Sequence, residues 1–192
     1  MIISYSNQPF AAISYDTTTY ADLSSYMSEQ GHTLNRVDPE QDLDPDYQYI
    51  NLVTQDFDLR EHISQNLYDE NHVRFSYVHP TSVIANGTRI GKGVFVYPLC
   101  STYTNSTIEN DVIVHGQSFI AHSVHIKDGT IFAPCVSVSG TTTIGRFCFV
   151  GINATVIDKI EVCDHAYIGA GAVVINNITN PGKYVGVPAK QI

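Results

Sequence analysis

The apolar positions in the rear part of the chain recur every six residues. Between Val78 and Val174, sixteen of the seventeen positions at this spacing hold Val, Ile or Phe, and Thr102 is the exception. The position four residues after each of these holds a side chain no larger than Val in all but two cases. Two sets of inward-facing residues, one large and one small, therefore run through the rear of the chain without a change of phase.

A period of six excludes an amphipathic helix, which spaces apolar residues three and four apart, and a half-buried strand, which alternates. It predicts a parallel β-helix, in which three hexapeptides form the three short, flat sides of a triangular coil. Seventeen hexads give between five and six coils, stacked about 4.8 Å apart. We expect glycine and asparagine at the corners, such as Gly87, Gly129 and Asn153, to supply left-handed backbone.

Residues 1–77 alternate between strand and helix patterns and predict a small α/β domain with a partly parallel sheet. The predicted strands are Met1–Ser6, Phe10–Tyr15, His32–Val37, Tyr49–Val53 and Val73–Tyr77, and the predicted helices are Thr17–Gln30 and Asp56–Tyr68. We expect the domains to be 1–77, 78–179 for the β-helix, and 180–192 for a C-terminal tail. The first strand-to-helix turn, between Tyr5 and Tyr20, has no glycine, so the usual phosphate-binding turn is absent. Substrate binding and a role as a stabilising cap both remain open for this domain.

Charge is distributed unevenly along the chain. Residues 1–77 carry thirteen acidic and three basic side chains, a net charge of −10, and residues 78–192 carry six and seven, a net charge of +1. The acidic front argues against nucleic acid binding, whereas the nearly neutral rear tolerates an anionic co-substrate. No apolar run approaches the roughly 20 residues of a membrane span, and the first residues lack a secretion signal. We expect a cytoplasmic protein whose four cysteines are reduced thiols.

The candidate chemistry lies at His122. One coil further along the predicted β-helix is Gly140, so an imidazole and an unobstructed backbone N–H are expected about 5 Å apart. Acyl transfer from a thioester needs a base for the acceptor amine or hydroxyl and a donor for the oxyanion of the tetrahedral intermediate. An imidazole near its ordinary pKa of about 6.5 supplies that base.

Three motifs from Tyr77 onward resemble the NeuD/PglD-like sugar acetyltransferases, which are left-handed β-helix (hexapeptide-repeat) acyltransferases. They are the entry to the β-helix at Val78–Ile84 (VHPTSVI), the segment Ile120–Ser123 (IAHS) where relatives carry the catalytic histidine, and a C-terminal series. That series consists of Gly151–Ala154 (GINA), Ile168–Val174 (IGAGAVV) and Val185–Lys190 (VGVPAK). Over the front segment the resemblance is faint and mainly covers Tyr49–Tyr68.

The resemblance implies an acetyl-CoA-dependent acetyltransferase of polysaccharide biosynthesis that acts on an amino or hydroxyl group of a sugar or nucleotide-sugar. It implies that His122 is the general base and that the Gly140 N–H is the oxyanion donor. It further implies a homotrimer, without catalytic metal, in which acetyl-CoA lies between subunits. The residues implied to contact acetyl-CoA are Ile131, Gly140, Ile152, Ala170 and Lys190, with Lys183 a further candidate for its phosphates.

Two positions depart from the pattern of the relatives. An acidic residue usually flanks their catalytic histidine, but Ala121 and Ser123 flank His122. Their second active-site histidine, nine residues on, corresponds to Ile131. We therefore expect the carboxylate that orients the imidazole to come from elsewhere in the chain, such as Asp111 or Asp128, or to be missing.

Two other functions remain open on the same fold. One is a zinc-dependent hydratase of the γ-carbonic anhydrase type, with ligands drawn from His79, His115, His122 and His125, although their spacing does not match that class. The other is a catalytically degenerate relative that acts as a scaffold or binding module.

Overall fold

A computed structural model describes residues 1–4, 6–15 and 17–192, so Tyr5 and Asp16 lie outside the described residues. The described chain divides into two compact units, Met1–Tyr77 and Val78–Ile192. Neither α-helix of these residues, 12 and 13 residues long, has the length and apolar character that a membrane crossing needs. Each unit is described separately below.

The front unit is a four-stranded parallel sheet with two helices. Its elements are β1 (Ile2–Ile3), β2 (Phe10–Ile13), α1 (Thr17–Ser28), β3 (Leu34–Val37), β4 (Gln48–Asn51), α2 (Phe57–Asp69), β5 (Val73–Arg74) and β6 (Ser76–Val78). The sheet order is β3-β2-β4-β5, and β1 pairs antiparallel with β6. Ala11 and Ile13 of β2 pack with Ile63 and Leu67 of α2 in a fully buried cluster. The alternation of apolar runs thus predicted both helices and the parallel sheet.

The rear unit is a parallel β-helix. Its strands are β7 (Val83–Ile84), β8 (Arg89–Ile90), β9 (Phe95–Val96), β10 (Ser101–Thr102), β11 (Thr107–Ile108), β12 (Ile113–Val114), β13 (Phe119–Ile120), β14 (His125–Ile126), β15 (Ile131–Phe132), β16 (Ser137–Val138), β17 (Thr143–Ile144), β18 (Phe149–Val150), β19 (Thr155–Val156), β20 (Glu161–Val162), β21 (Ala166–Ile168), β22 (Val173–Val174), β23 (Gly182–Val185) and β24 (Lys190–Gln191).

Three sheets form the sides of the β-helix, and the hexapeptide period sets their register. We call them side 1 (β9, β12, β15, β18, β21, β23 and β24), side 2 (β7, β10, β13, β16, β19 and β22) and side 3 (β8, β11, β14, β17 and β20). On side 2 each residue pairs with the residue 18 further on, as in Ser101 with Phe119 and Phe119 with Ser137. The predicted fold class, a small α/β domain followed by a hexapeptide-repeat β-helix, is confirmed.

The small inward positions form an internal hydrogen-bond ladder. Thr130 Oγ1 donates to the Gly145 carbonyl at 2.7 Å and accepts from the Cys148 amide at 3.0 Å. Cys100 and Cys148 occupy the same kind of position, and Cys148 Sγ contacts the Cys163 carbonyl at 3.2 Å. Burial raises the pKa of the Cys148 thiol to about 12, despite a hydrogen bond from the backbone that lowers it. Both cysteines are therefore part of the packing.

Most of the left-handed corners carry a side chain. The residues with positive φ recur at every sixth position from Gly87 to Gly171, and most of them are not glycine. Leu99 (φ 61°) and Phe147 (φ 47°) are examples. The expectation that glycine and asparagine supply these corners was therefore incomplete: the closed coil dictates the conformation, at a strain of about 1–3 kcal/mol for each such residue.

Residues 180–192, expected as a C-terminal tail, lie within the rear unit. Strand β23 pairs parallel with β21, and β24 turns back antiparallel onto β23. The chain therefore covers the last coil with its own backbone, which pairs part of an open sheet edge.

Candidate functional site

His122 lies at the corner between sides 2 and 3, where β13 ends and β14 begins. Its neighbours Ile120 and Val124 point inward and are each 1% exposed, and Ser123 has the left-handed φ of 58°. These two apolar anchors and the corner turn direct the His122 side chain outward, and it is exposed.

The imidazole of His122 lies over Gly140. The two residues are stacked one coil apart, because the Thr141 amide donates to the His122 carbonyl at 3.0 Å. A Cβ added to Gly140 would lie 2.6 Å from Nε2 and 2.7 Å from Cε1 of His122. Any side chain at position 140 would therefore displace the ring.

The polar groups of this pair are not used within the described part of the chain. Among residues 1–4, 6–15 and 17–192, the Gly140 amide donates no hydrogen bond, although its carbonyl accepts from the Lys159 amide at 3.0 Å. The imidazole of His122 has no hydrogen-bonding partner among the same residues. A base and an amide donor thus stand together, each with its hydrogen-bonding capacity available to a ligand.

Neither carboxylate suggested as the orienting group lies at this corner. Asp111 and Asp128 both follow strands of side 3 and lie at the corner between sides 3 and 1. Asp128 Oδ1 accepts from the amide and side chain of Asn110, both at 2.9 Å, and its Oδ2 lies 3.9 Å from Arg146 Nε. Asp111 is 1% exposed. The expectation that one of them orients His122 is wrong for a single chain, because the full width of side 3 separates their corner from that of His122.

Of the residues assigned to acetyl-CoA, Gly140 lies beside His122, whereas Ile131, Ile152, Ala170 and Lys190 do not lie at that corner. Ile152 and Ala170 occupy the corner between sides 1 and 2, one coil apart, and both are exposed. Lys190 in β24 is exposed and pairs with Val185, whose Cγ1 would lie 2.8 Å from a Cβ on Gly169. Ile152 and Ala170 therefore form one column, and Lys190 lies beside Val185 on side 1 at the C-terminal end of the β-helix.

Ile131 differs from that column in position and exposure. It faces outward from side 1 in β15, and only 1% of its surface is exposed. In a single chain the columns of His122 and Ile152 are six residues apart around the coil, about 20 Å at 3.3 Å per residue. Apart from Gly140, the structure therefore does not bring the candidate co-substrate residues together with His122 in one chain.

The other histidines of the rear unit have different surroundings. His79 Nδ1 lies 2.9 Å from Thr81 Oγ1, and the ring of His115 stacks on Tyr97 with centroids 4.4 Å apart. In the described ranges, no three His, Cys, Asp or Glu side chains come close enough to hold a metal ion. The zinc hypothesis gains no support from these positions.

One pair on side 3 escaped the sequence interpretation. His125 Nε2 lies 2.5 Å from Glu109 Oε1, and the same carboxylate accepts from the Asp128 amide at 3.2 Å. His125 pairs in register with Thr107, two residues before Glu109, so the contact is diagonal between neighbouring coils. The coil register, applied to diagonal neighbours as well as to columns, would have revealed it.

Comparison with known sequences supports the repeat. The family model "Bacterial transferase hexapeptide (six repeats)" matches residues 141–176. A UDP-3-O-acylglucosamine N-acyltransferase of Bordetella avium is 38% identical over an alignment of 92 residues that covers 45% of this chain and 26% of that protein. A protein of the same name from Janthinobacterium sp. is 35% identical over 82 residues, 43% of this chain and 23% of that protein. The chain spans about a quarter of the length of these curated relatives.

Solved structures match nearly the whole chain. The acetyltransferase domain of PglB from Neisseria gonorrhoeae has a TM-score of 0.87 at 19% identity, covering 97% of this chain and 100% of that one, and its complex with acetyl coenzyme A has a TM-score of 0.86. PerB from Caulobacter crescentus, in complex with CoA and GDP-perosamine, has a TM-score of 0.86 at 20% identity, covering 97% and 98%. These likenesses establish the fold, including its left-handed β-helix.

Proposed function

We propose that this chain is an acetyl-CoA-dependent acetyltransferase that acts on an amino or hydroxyl group of a sugar or nucleotide-sugar. The observation that carries the proposal is the exposed imidazole of His122 over the side-chain-free Gly140. Two proteins of the same fold support the choice of co-substrate: one is known with acetyl coenzyme A, and another with CoA and GDP-perosamine. The curated relatives named as acyltransferases point to the same reaction class.

In this mechanism His122 removes a proton from the acceptor while the amine or hydroxyl attacks the thioester carbonyl. The Gly140 N–H donates to the oxyanion of the tetrahedral intermediate. When the C–S bond breaks, the imidazolium returns the proton to the thiolate, so the base is regenerated and free thiol is released. Both groups have the chemistry that the reaction needs, and neither uses it within the described chain.

We further propose that Gly140, Ile152, Ala170 and Lys190 contact acetyl-CoA, as the resemblance implies. Ile131, which the resemblance also implies, is 1% exposed and is not accessible to a ligand in this chain. The exposed column of Ile152 and Ala170 offers apolar surface at one corner, and the exposed Lys190 pairs with Val185 in the last strands of the chain. Lys183 is a second candidate for the phosphates, and its Nζ lies 5.9 Å from the ring centroid of Tyr167.

A homotrimer would complete the site. The proposed co-substrate column and His122 lie at the two corners that flank side 2, so a neighbouring copy is needed to bring one against the other. Side 2 and its corners expose Val83 (65%), Leu99 (59%) and Tyr103 (54%), apolar surface that fits burial between subunits. With four free cysteines and acetyl-CoA as donor, we place the protein in the cytoplasm.

A catalytically degenerate binding protein is the second candidate. The observation that favours it is the lack of a carboxylate partner for His122 in the described residues. An imidazole without such a partner has no fixed tautomer, which weakens a general base.

The test is thiol release from acetyl-CoA with a panel of amino-sugar and nucleotide-sugar acceptors. We expect His122→Ala to lower kcat by about 10²–10⁴-fold, as for loss of a general base. His125→Ala, which removes a histidine of side 3, is the matched control and should retain activity. Equal activity of wild type and His122→Ala would eliminate the assigned base, and absence of turnover with CoA still bound would favour the degenerate protein.

A further inference from the structure

The first corner between sides 2 and 3 of the β-helix carries an asparagine followed by a glycine. Asn86 and Gly87 connect β7 to β8, and the Thr88 amide closes their turn by donating to the Ala85 carbonyl at 3.2 Å. Gly87 has the left-handed φ of 80°, and both central residues of the turn are exposed. Among the asparagines of the sequence, Asn86 alone precedes a glycine.

The Gly87 amide has no partner because its coil is the first. At the same corner two coils later, the left-handed residue Ser123 donates its amide to the Thr104 carbonyl of the preceding coil at 3.0 Å. No coil of the β-helix precedes Gly87. Over residues 1–4, 6–15 and 17–192, the Gly87 amide donates no hydrogen bond and the Asn86 side chain makes none. Both groups are therefore available to each other.

This arrangement permits an intramolecular reaction between the two groups. The Gly87 nitrogen, after losing its proton to hydroxide, attacks Cγ of Asn86 and forms a C–N bond. The bond from Cγ to the side-chain nitrogen breaks, and that nitrogen takes a proton from water and leaves as ammonia. Water then opens the cyclic imide at either carbonyl, which gives aspartate or isoaspartate. Glycine has no Cβ to hinder the approach. We propose that Asn86 is a site of spontaneous deamidation in the folded protein.

Asn153 shows how another corner of the same unit prevents this reaction. It also has a left-handed φ, of 58°, but the residue that follows it, Ala154, is fully buried. The Ala154 amide donates to the Gly151 carbonyl at 3.1 Å. The nitrogen that would have to attack is thus held inside the coil, and Asn153 serves as an internal reference for Asn86.

Isoaspartate at position 86 changes the first coil because it adds one carbon atom to the backbone of the corner. On the two sides of this corner, Val83 pairs in register with Ser101, and Arg89 pairs with Thr107. A longer corner cannot keep both registers, so we expect the first coil to open while the later coils stay closed. The Val83 amide, which donates to the Cys100 carbonyl at 2.9 Å, reports this opening.

Peptide mapping by mass spectrometry tests the proposal on the full chain, incubated folded and in urea at mildly alkaline pH. We expect Asn86 to convert in the folded chain at a rate within about threefold of that in urea, with isoaspartate detected by an isoaspartyl methyltransferase. Asn153 should convert at least about tenfold more slowly in the folded chain than in urea. Asn86→Ser should abolish the isoaspartate signal, and Asn153→Ser, the matched control, should leave it unchanged.

Stronger protection of Asn86 by the fold, or equal conversion of Asn86 and Asn153 in the folded chain, would overturn the proposal. Hydrogen exchange of the aged protein tests the structural consequence. The Val83 amide should exchange at least about tenfold faster than in fresh protein, whereas the Thr143 amide, which donates to the Ile160 carbonyl at 2.9 Å, should be unchanged. Unchanged exchange at Val83 would refute the opening of the first coil. None of these measurements depends on acetyltransferase activity.

Discussion

Replacement of Gly140 by alanine perturbs the proposed site with a single methyl group. The new Cβ would lie 2.6 Å from His122 Nε2, whereas an ordinary contact needs at least about 3.4 Å, so the ring must move by about 0.8 Å. A misplacement of about 1 Å in a catalytic group costs about 10²-fold in rate. We therefore expect kcat for thiol release from acetyl-CoA to fall about 100-fold.

The folded state should tolerate this substitution. Gly140 is not among the residues with positive φ, so alanine adopts its backbone without strain, and the only close atoms belong to a mobile ring. We expect the free energy of unfolding to change by less than about 1 kcal/mol. Thr143→Ala, an outward substitution in β17 of side 3, is the control and should keep a normal kcat. A Gly140→Ala protein that folds normally and keeps kcat within threefold of wild type would refute the reasoning.

Three further outcomes follow from the packing and ionisation of the β-helix. Ile144 is fully buried, so Ile144→Ala should lower the free energy of unfolding in urea by about 2–5 kcal/mol. Thr143 points outward from the same strand, and Thr143→Ala should lower it by less than about 0.5 kcal/mol. Similar losses for the two variants would contradict the assignment of Ile144 to the inside of the coil. Thr130→Val should lower the free energy of unfolding by about 1–3 kcal/mol in the same assay, because it leaves the Cys148 amide without its hydrogen-bond acceptor. An unchanged urea midpoint would show that this internal hydrogen bond does not stabilise the fold. Folding raises the pKa of the Cys148 thiol from 9.0 to about 12, so the buried thiol contributes its full share of the free energy of unfolding below pH 9. This stabilisation should be lost as the pH rises from 9 to 12, by no more than about 1.4 kcal/mol per pH unit. A Cys148→Ala protein with the same alkaline unfolding profile as wild type would disprove this.

The hexapeptide period predicted most of the β-helix because one local rule fixes both side-chain direction and coil register. Once Ile120 and Val124 point inward, the corner residue His122 must point outward, and a step of one coil places Gly140 beside it. The same rule could have excluded Asp128 as a partner of His122, since its position in the coil belongs to a different corner.

Other features could not be obtained from periodicity. The contact between His125 and Glu109 depends on side-chain conformations across a diagonal of two coils. A pocket of the front unit is formed by loops after β2 and β4, which are far apart in sequence, and a pattern of single strands contains no information about their packing. Completion of the proposed site across a subunit boundary depends on a second copy of the chain.

A crystal structure of the protein with CoA and an acceptor analogue would test the central claim most directly. The account predicts the CoA sulfur near the His122 imidazole, the acceptor nucleophile within hydrogen-bonding distance of Nε2, and the Gly140 N–H facing the position of the carbonyl oxygen. CoA bound at another corner, with His122 in contact with neither molecule, would contradict it.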